Sequence, residues 1–139
     1  MNSNIQPRDV IFDRTPEIFA TGSSGTFSHV LREKGEERLD TASFDEMRIV
    51  VSIWHPSSRR TIDLDRAYVE LRASFDPGEE HWVKLAEIEP VVPPFNPDGV
   101  FDGWIVLPVL AASNAYSIWG SGFEPRARIQ VRASAYLVA

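Results

Sequence analysis

A regular alternation of apolar and polar residues near the end of the chain limits its fold more than any other feature. From position 126 to position 137 every second residue is apolar, and Arg, Gln, Ser or Tyr stand between them. The apolar set is Ala127, Ile129, Val131, Ala133, Ala135 and Leu137. A period of two places these side chains on one face of a β-strand, whereas a helical pattern repeats about every 3.6 residues. The segment predicts a long strand with one buried face and one solvent face.

Similar strand patterns recur through the middle of the chain. They cover the segments 47–53, 67–75, 81–89, 103–110 and 115–119. In 67–75 the apolar face runs from Ala67 to Phe75, and in 81–89 it contains Val83 and Leu85. The segment 103–110 is almost entirely apolar, which predicts a strand covered on both faces.

Turn residues separate these strands, and the strongest turn is Asp76-Pro77-Gly78. The first third of the chain predicts shorter strands near 10–12, 17–20, 27–31 and 38–39, with a short helix over 40–47 as an alternative. Lys34-Gly35-Glu36 predicts a hairpin turn. About eight strands at regular spacing predict an all-β, antiparallel β-sandwich of jelly-roll type.

Length and composition exclude several classes of protein. The 139 residues predict a single domain, 1–139, in which 1–8 form a polar N-terminal tail. The absence of Cys excludes a disulfide scaffold, and a net charge of −6 argues against nucleic-acid binding. No apolar run is long enough to span a membrane, and the polar start contains no secretory signal. We therefore expect a cytoplasmic protein or a component of a virion.

The order of several short segments resembles the galactose-binding-like (discoidin-type) jelly-roll sandwiches. The segments are Leu39-Asp40, Arg48-Ile49-Val50-Val51, Val69-Glu70-Leu71, Phe75, Glu80-His81-Trp82-Val83-Lys84-Leu85 and Ile129-Gln130-Val131. The resemblance covers roughly 39–137 and concerns the fold only. It implies a non-catalytic ligand-binding or assembly module, with glycans as frequent ligands. The Cys pair that joins the termini of many extracellular members has no counterpart here.

One end of the predicted sandwich is rich in aromatic and Arg residues. If successive strands run antiparallel, the loops 55–65, 90–102 and 120–125 share this end, and 76–80 and 111–114 share the other. The candidate ligand-binding residues are Trp54, His55, Arg59, Arg60 and Trp119. An aromatic ring can stack on a sugar, and an Arg fork can bind carboxylate or hydroxyl groups. Alternatively, the two Trp residues cap the core and the Arg pair is solvated.

Acidic residues near the same end are weak candidate ligands for calcium. They are Asp63, Asp65, Asp98 and Asp102. Calcium takes six to eight oxygen ligands, but the spacing of these residues does not match an EF-hand loop. No other cofactor is expected.

No catalytic motif occurs, since the chain lacks a nucleophile elbow, a His-Glu-x-x-His sequence and a phosphate-binding loop. The sequence therefore predicts a non-enzymatic recognition module that binds a ligand, with carbohydrate as a candidate, through the loops at one end. The alternative is a structural subunit of an assembled particle, such as a phage capsid, tail or decoration protein. The expected partners are a carbohydrate or a protein, and a homo-oligomer or particle is expected.

Overall fold

A computed structural model describes residues 5–12, 18–20, 23–33, 39–56, 61–92, 99–109 and 115–139. In these ranges the strands are β1 (Arg8–Ile11), β2 (Ile18–Phe19), β3 (Phe27–Val30), β4 (Glu46–Trp54), β5 (Tyr68–Ser74), β6 (Trp82–Glu87), β7 (Phe101–Pro108), β8 (Ala115–Ser121) and β9 (Arg128–Val138). The helix considered over 40–47 is absent from that described segment. There the Asp40 carboxylate accepts a 3.0 Å hydrogen bond from the Ala42 amide, and such a local bond favours a turn over a helix.

Two antiparallel sheets form the sandwich. The first, called the β4 sheet, has the order β1-β9-β4-β7, and β2 also pairs with β9. The second, called the β5 sheet, has the order β3-β8-β5-β6. The first strand thus lies beside the last, and the chain crosses repeatedly between the sheets, as in a jelly roll. The predicted fold class is confirmed. The predicted hairpin turn at 34–36 lies outside the described residues.

The core lies between the inner faces of the sheets. Five of the six apolar residues of the terminal alternation, from Ile129 to Leu137, are at most 3% exposed. On β4 the alternate residues from Met47 to Ile53 are fully buried. Inward residues of the β5 sheet, such as Leu71 and Ile118, complete the same cluster. The alternation therefore predicted correctly which face of each central strand is buried.

Two predictions about burial are wrong, and a third is right only in part. β7 is not covered on both faces, because Trp104 is 62% exposed and Val106 is 50% exposed on the outer face of an edge strand. Phe75 is 46% exposed because β5 ends one residue before it. Val83 lies on the inner face, as predicted, because it pairs with buried Ala73, but it is 51% exposed because β6 is an edge strand.

The strand registers fix which loops share an end. Trp54 pairs with Gln130, Ile53 pairs with Phe101, and Tyr68 pairs with Ser121. The described residues 55–56, 61–67, 99–100 and 122–127 therefore meet at one end, called the top end. The turn after β5 lies at the opposite end, as the parity of the strands predicted. In the described ranges, no helix has the length and apolar character needed to cross a membrane.

Candidate functional site

A small pocket lies at the top end. It has a volume of about 230 Å³ and is lined by His55, Thr61, Ile62, Asp63, Arg66, Gly122, Phe123, Glu124 and Pro125. His55 is buried, and its Nδ1 lies 2.9 Å from the carbonyl oxygen of Arg128. Because a carbonyl oxygen only accepts, Nδ1 carries the proton in this hydrogen bond. The bond holds the imidazole ring against β9 at the edge of the pocket.

The two predicted Trp residues are not brought together. Trp54 follows buried Ile53 on β4, so the alternation directs its side chain to the outer face of the β4 sheet. There the guanidinium of Arg132 lies 5.3 Å from its ring centroid. Trp119 lies on the outer face of the β5 sheet. Arg59 and Arg60 lie outside the described residues, so the structure places only three of the five predicted binding residues.

A second candidate site surrounds Trp119 on the outer face of the β5 sheet. It is a groove of about 230 Å³ lined by Ser28, Val30, Arg72, Trp82, Ser117 and Trp119. The register explains this set, because Trp119 pairs with Ser28 on one side, and Ser117 pairs with Val30 and Arg72. Directly paired residues project from the same face of a sheet. The groove is therefore formed by four adjacent strands rather than by loops.

Arg72 is held in the middle of this groove by two neighbours. Its guanidinium carbon lies 4.2 Å from the ring centroid of Trp119, and its Nε donates a 2.6 Å hydrogen bond to Glu70 Oε2. Tyr68 packs edge-on against Trp119 with 6.0 Å between ring centroids. A single Nε–H is used in the bond to Glu70, so the two terminal nitrogens of the Arg72 fork can serve a ligand.

The Glu70 carboxyl is ionised in this setting. Burial by itself raises its pKa, but hydrogen bonds from Arg72 and Tyr68 and the charges of Arg72 and Lys84 outweigh burial and lower the pKa overall. Lys84 lies 5.2 Å from the ring centroid of Tyr68. The hydrogen bond with Tyr68 is the main reason that the pKa of Lys84 is raised. The groove is thus bordered by a layer of alternating aromatic and charged groups.

The candidate calcium ligands do not form a cluster in the described residues. The Asp63 carboxylate accepts a 3.1 Å hydrogen bond from the Asp65 amide, which is a local turn interaction. Asp102 is exposed on the outer side of β7, and Asp98 lies outside the described residues. Among the residues that the structure describes, no group of three or more His, Cys, Asp or Glu side chains is arranged to hold a metal.

Sequence reasoning did not select Trp82, Arg72 or Ser117 as site residues. Each stands at an outward position of its strand, and an outward Trp flanked by polar residues is the signal that could have drawn attention to Trp82. The missing information was strand order, because β5 pairs with β8, which lies more than 40 positions further along the chain. Alternation assigns a side chain to a face but does not identify its cross-strand neighbour.

No family model, curated protein or solved structure matches this chain. The resemblance to galactose-binding-like sandwiches therefore stays a prediction, and the function must be argued from the site itself.

Proposed function

We propose that this protein is a non-catalytic recognition module that binds carbohydrate in the groove of the β5 sheet. The observation that carries the proposal is the pair of indole side chains, Trp82 and Trp119, that line one groove together with Arg72 and two Ser hydroxyls. The apolar face of a sugar ring packs on an aromatic ring, and its hydroxyls need hydrogen-bond partners at the rim. This groove supplies both kinds of contact.

The size of the groove favours a small ligand. Its volume of about 230 Å³ is below the range of roughly 300–1,000 Å³ typical of pockets for drug-sized molecules. A single sugar unit, or the terminal unit of a longer glycan, suits this volume.

An array of immobilised neutral and acidic oligosaccharides tests the proposal. We expect binding to a subset of glycans, and we expect Trp119→Ala and Trp82→Ala to weaken that binding by about tenfold or more, since buried aromatic contacts dominate such sites. Trp54→Ala is the matched control, because Trp54 is also partly buried beside an Arg but lies on the other sheet. Far-UV circular dichroism verifies that each variant is folded.

Two results would contradict the proposal. One is a wild-type protein that binds no glycan on the array. The other is glycan binding that is lost in Trp54→Ala but retained in Trp119→Ala and Trp82→Ala, which would place the ligand elsewhere.

A structural subunit of an assembled particle is the second candidate function. The observation that favours it is the exposed apolar surface on the outer face of the β4 sheet, where Trp104 is 62% exposed and Val106 is 50% exposed. Viral capsid and lectin domains both use jelly-roll sandwiches, so the fold does not separate the two candidates. Assembly into particles much larger than a dimer, visible by electron microscopy, would support this second function.

A further inference from the structure

We infer that the outer face of the β4 sheet is a homodimer interface on which a second copy of this chain packs face to face. This inference concerns the opposite side of the sandwich from the groove and does not rest on carbohydrate binding.

The exposed apolar side chains are concentrated on this face. Seven large apolar residues stand out as strongly exposed in the described chain: Ile11, Phe75, Val50, Val83, Val92, Trp104 and Val106. Four of the seven project from the outer face of the β4 sheet, namely Ile11 at 77%, Val50 at 51%, Trp104 at 62% and Val106 at 50%. Contiguous exposed apolar patches are uncommon on monomeric soluble proteins and mark interaction sites.

The strand register arranges these residues in one row. Ile11 pairs with Ser134, Ser134 pairs with Val50, and Val50 pairs with Trp104. The row therefore runs straight across β1, β9, β4 and β7, from one edge of the sheet to the other. A shallow cavity of about 260 Å³ lies along it and is lined in part by Ile11 and Val50. A mainly apolar row with a depression suits packing against another sheet.

Symmetry makes the row complementary to itself. A twofold axis parallel to the strands reverses the strand order, so that β1 of one copy lies over β7 of the other. Ile11 of one copy then faces Trp104 of the other, and Ser134 faces Val50. The largest side chains meet at the edges of the interface, and the smaller ones meet near the axis.

Charges of both signs lie on either side of the row, and the same symmetry brings opposite charges of the two copies close together. Arg48 and Arg132 flank the row on opposite sides, as do Asp9 and Asp102. In the symmetric pair, Arg48 comes one strand away from Asp9 of the other copy, and Arg132 comes one strand away from Asp102 of the other copy. Arg48 and Arg132 also come one strand away from their own counterparts in the other copy, and Glu46, which is 3.2 Å from Arg48, offsets the first of these like-charge approaches. This arrangement favours a second copy over a partner of a single charge sign.

The area of the face meets the requirement for a stable dimer. β1, β9, β4 and β7 have 4, 11, 9 and 8 residues. At about 3.3 Å for each residue and about 4.8 Å between strands, they give roughly 500 Å² for each copy, or roughly 1,000 Å² in total. A specific interface should bury at least about 1,000 Å². The outer face of the β5 sheet is more highly charged, because Glu70, Arg72, Lys84 and Glu87 lie there beside the aromatic groove.

Sedimentation velocity on the full chain tests the inference. We expect the wild type to form a dimer of a 15.6 kDa chain at concentrations up to about 100 μM. Val50→Glu places an unpaired carboxylate at the centre of the interface and should raise the dissociation constant by about tenfold or more. Val83→Glu is the control, since Val83 is also 51% exposed but lies on β6 of the other sheet.

A charge exchange tests the orientation of the two copies. Arg132→Asp and Asp102→Arg should each weaken the dimer, and the double variant should recover most of the lost affinity. Urea denaturation of every variant verifies that the monomer is folded. A wild type that stays monomeric, a dimer unaffected by Val50→Glu, or a dimer dissociated equally by Val83→Glu would each overturn the inference.

Discussion

The guanidinium of Arg72 stacks over Trp119 with 4.2 Å between its central carbon and the ring centroid, while the same side chain is hydrogen-bonded to Glu70. The Glu70 side chain is only 7% exposed, and that of Arg72 is 28% exposed. A carboxylate at this depth requires its partner, because a buried charge without compensation is strongly destabilising. Arg72 therefore has a structural role in addition to its place in the groove.

Removing the Arg72 guanidinium should show how strongly Arg72 and Glu70 stabilise one another. Arg72→Met keeps the aliphatic stem over Trp119 but leaves Glu70 with only the Tyr68 hydrogen bond and the Lys84 charge, so we expect a loss of about 2–3 kcal/mol of unfolding free energy. Glu70→Gln should cost less, about 1 kcal/mol, because the remaining Arg72 charge is more exposed. Urea denaturation at pH 7 of both single variants and the double variant gives the coupling energy. Strictly additive single effects would show that the two side chains do not stabilise one another.

His29 should make the stability of the protein sensitive to mild acid. Its side chain projects inward beside Ile118, and burial lowers its pKa to about 4 from its usual value of 6.5. Below pH 6.5 the unfolded chain takes up a proton that the folded chain accepts only near pH 4. The unfolding free energy should therefore fall by about 2–3 kcal/mol between pH 7 and pH 4, and the contribution of this group levels off above about pH 7.5.

The measurement is a series of urea denaturation curves at several pH values for the wild type and for His29→Leu. The difference between the two proteins removes the contribution of the carboxyl groups. Among these, Asp76 matters most, because hydrogen bonds from the Glu80 amide, the Ser74 hydroxyl and the His81 amide hold its pKa well below the usual range. Parallel pH profiles for the two proteins would refute the role of His29.

A side chain at position 120 should destabilise the protein unless the neighbouring residue Phe27 is replaced by a smaller one. A Cβ atom at this position would lie 2.3 Å from the ring of Phe27, and Phe27 packs edge-on against Phe123 with 5.1 Å between centroids. Gly120→Ala should therefore destabilise the protein by about 1–3 kcal/mol through overpacking. Adding Phe27→Leu should recover part of this loss, although it removes the aromatic contact. Thermal unfolding followed by circular dichroism measures both effects, and a destabilisation that Phe27→Leu only deepens would contradict the steric explanation.

The sequence pattern predicted the positions and buried faces of the strands better than it predicted which strands pair with one another. Alternation identified the buried faces of β4, β5 and β9 because a side chain on an inner strand meets the opposite sheet whatever the strand order is. It failed on β7, where Trp104 and Val106 were expected to be covered. An apolar run is typical of a strand between two layers, but it is equally compatible with an edge strand whose outer face is an interaction surface.

The candidate site was harder to predict for a related reason. The alternation of loops between the two ends of the sandwich correctly placed His55 at the top end, since this prediction depends only on counting antiparallel strands. It grouped Trp54 and Trp119 at the same end as one binding site, but their side chains project from opposite sides of the sandwich. The meeting of Trp119 with Arg72 and Trp82 depends on the pairing of β8, β5 and β6, which is a tertiary property.

Tyr116 offers a substitution that should stabilise the fold. Its side chain is 2% exposed on β8, and its hydroxyl has no hydrogen-bond partner among the residues that the structure describes. A buried hydroxyl without a partner loses its hydrogen bonds to water on folding, which costs about 1–3 kcal/mol. Tyr116→Phe removes that cost while it keeps the ring in the core, so we expect a gain of about 1 kcal/mol in unfolding free energy. Urea denaturation at pH 7 measures the change, with Tyr136→Phe as a control because Tyr136 lies on the outer face of β9. A loss of stability in Tyr116→Phe would show that the hydroxyl has a partner in the folded protein.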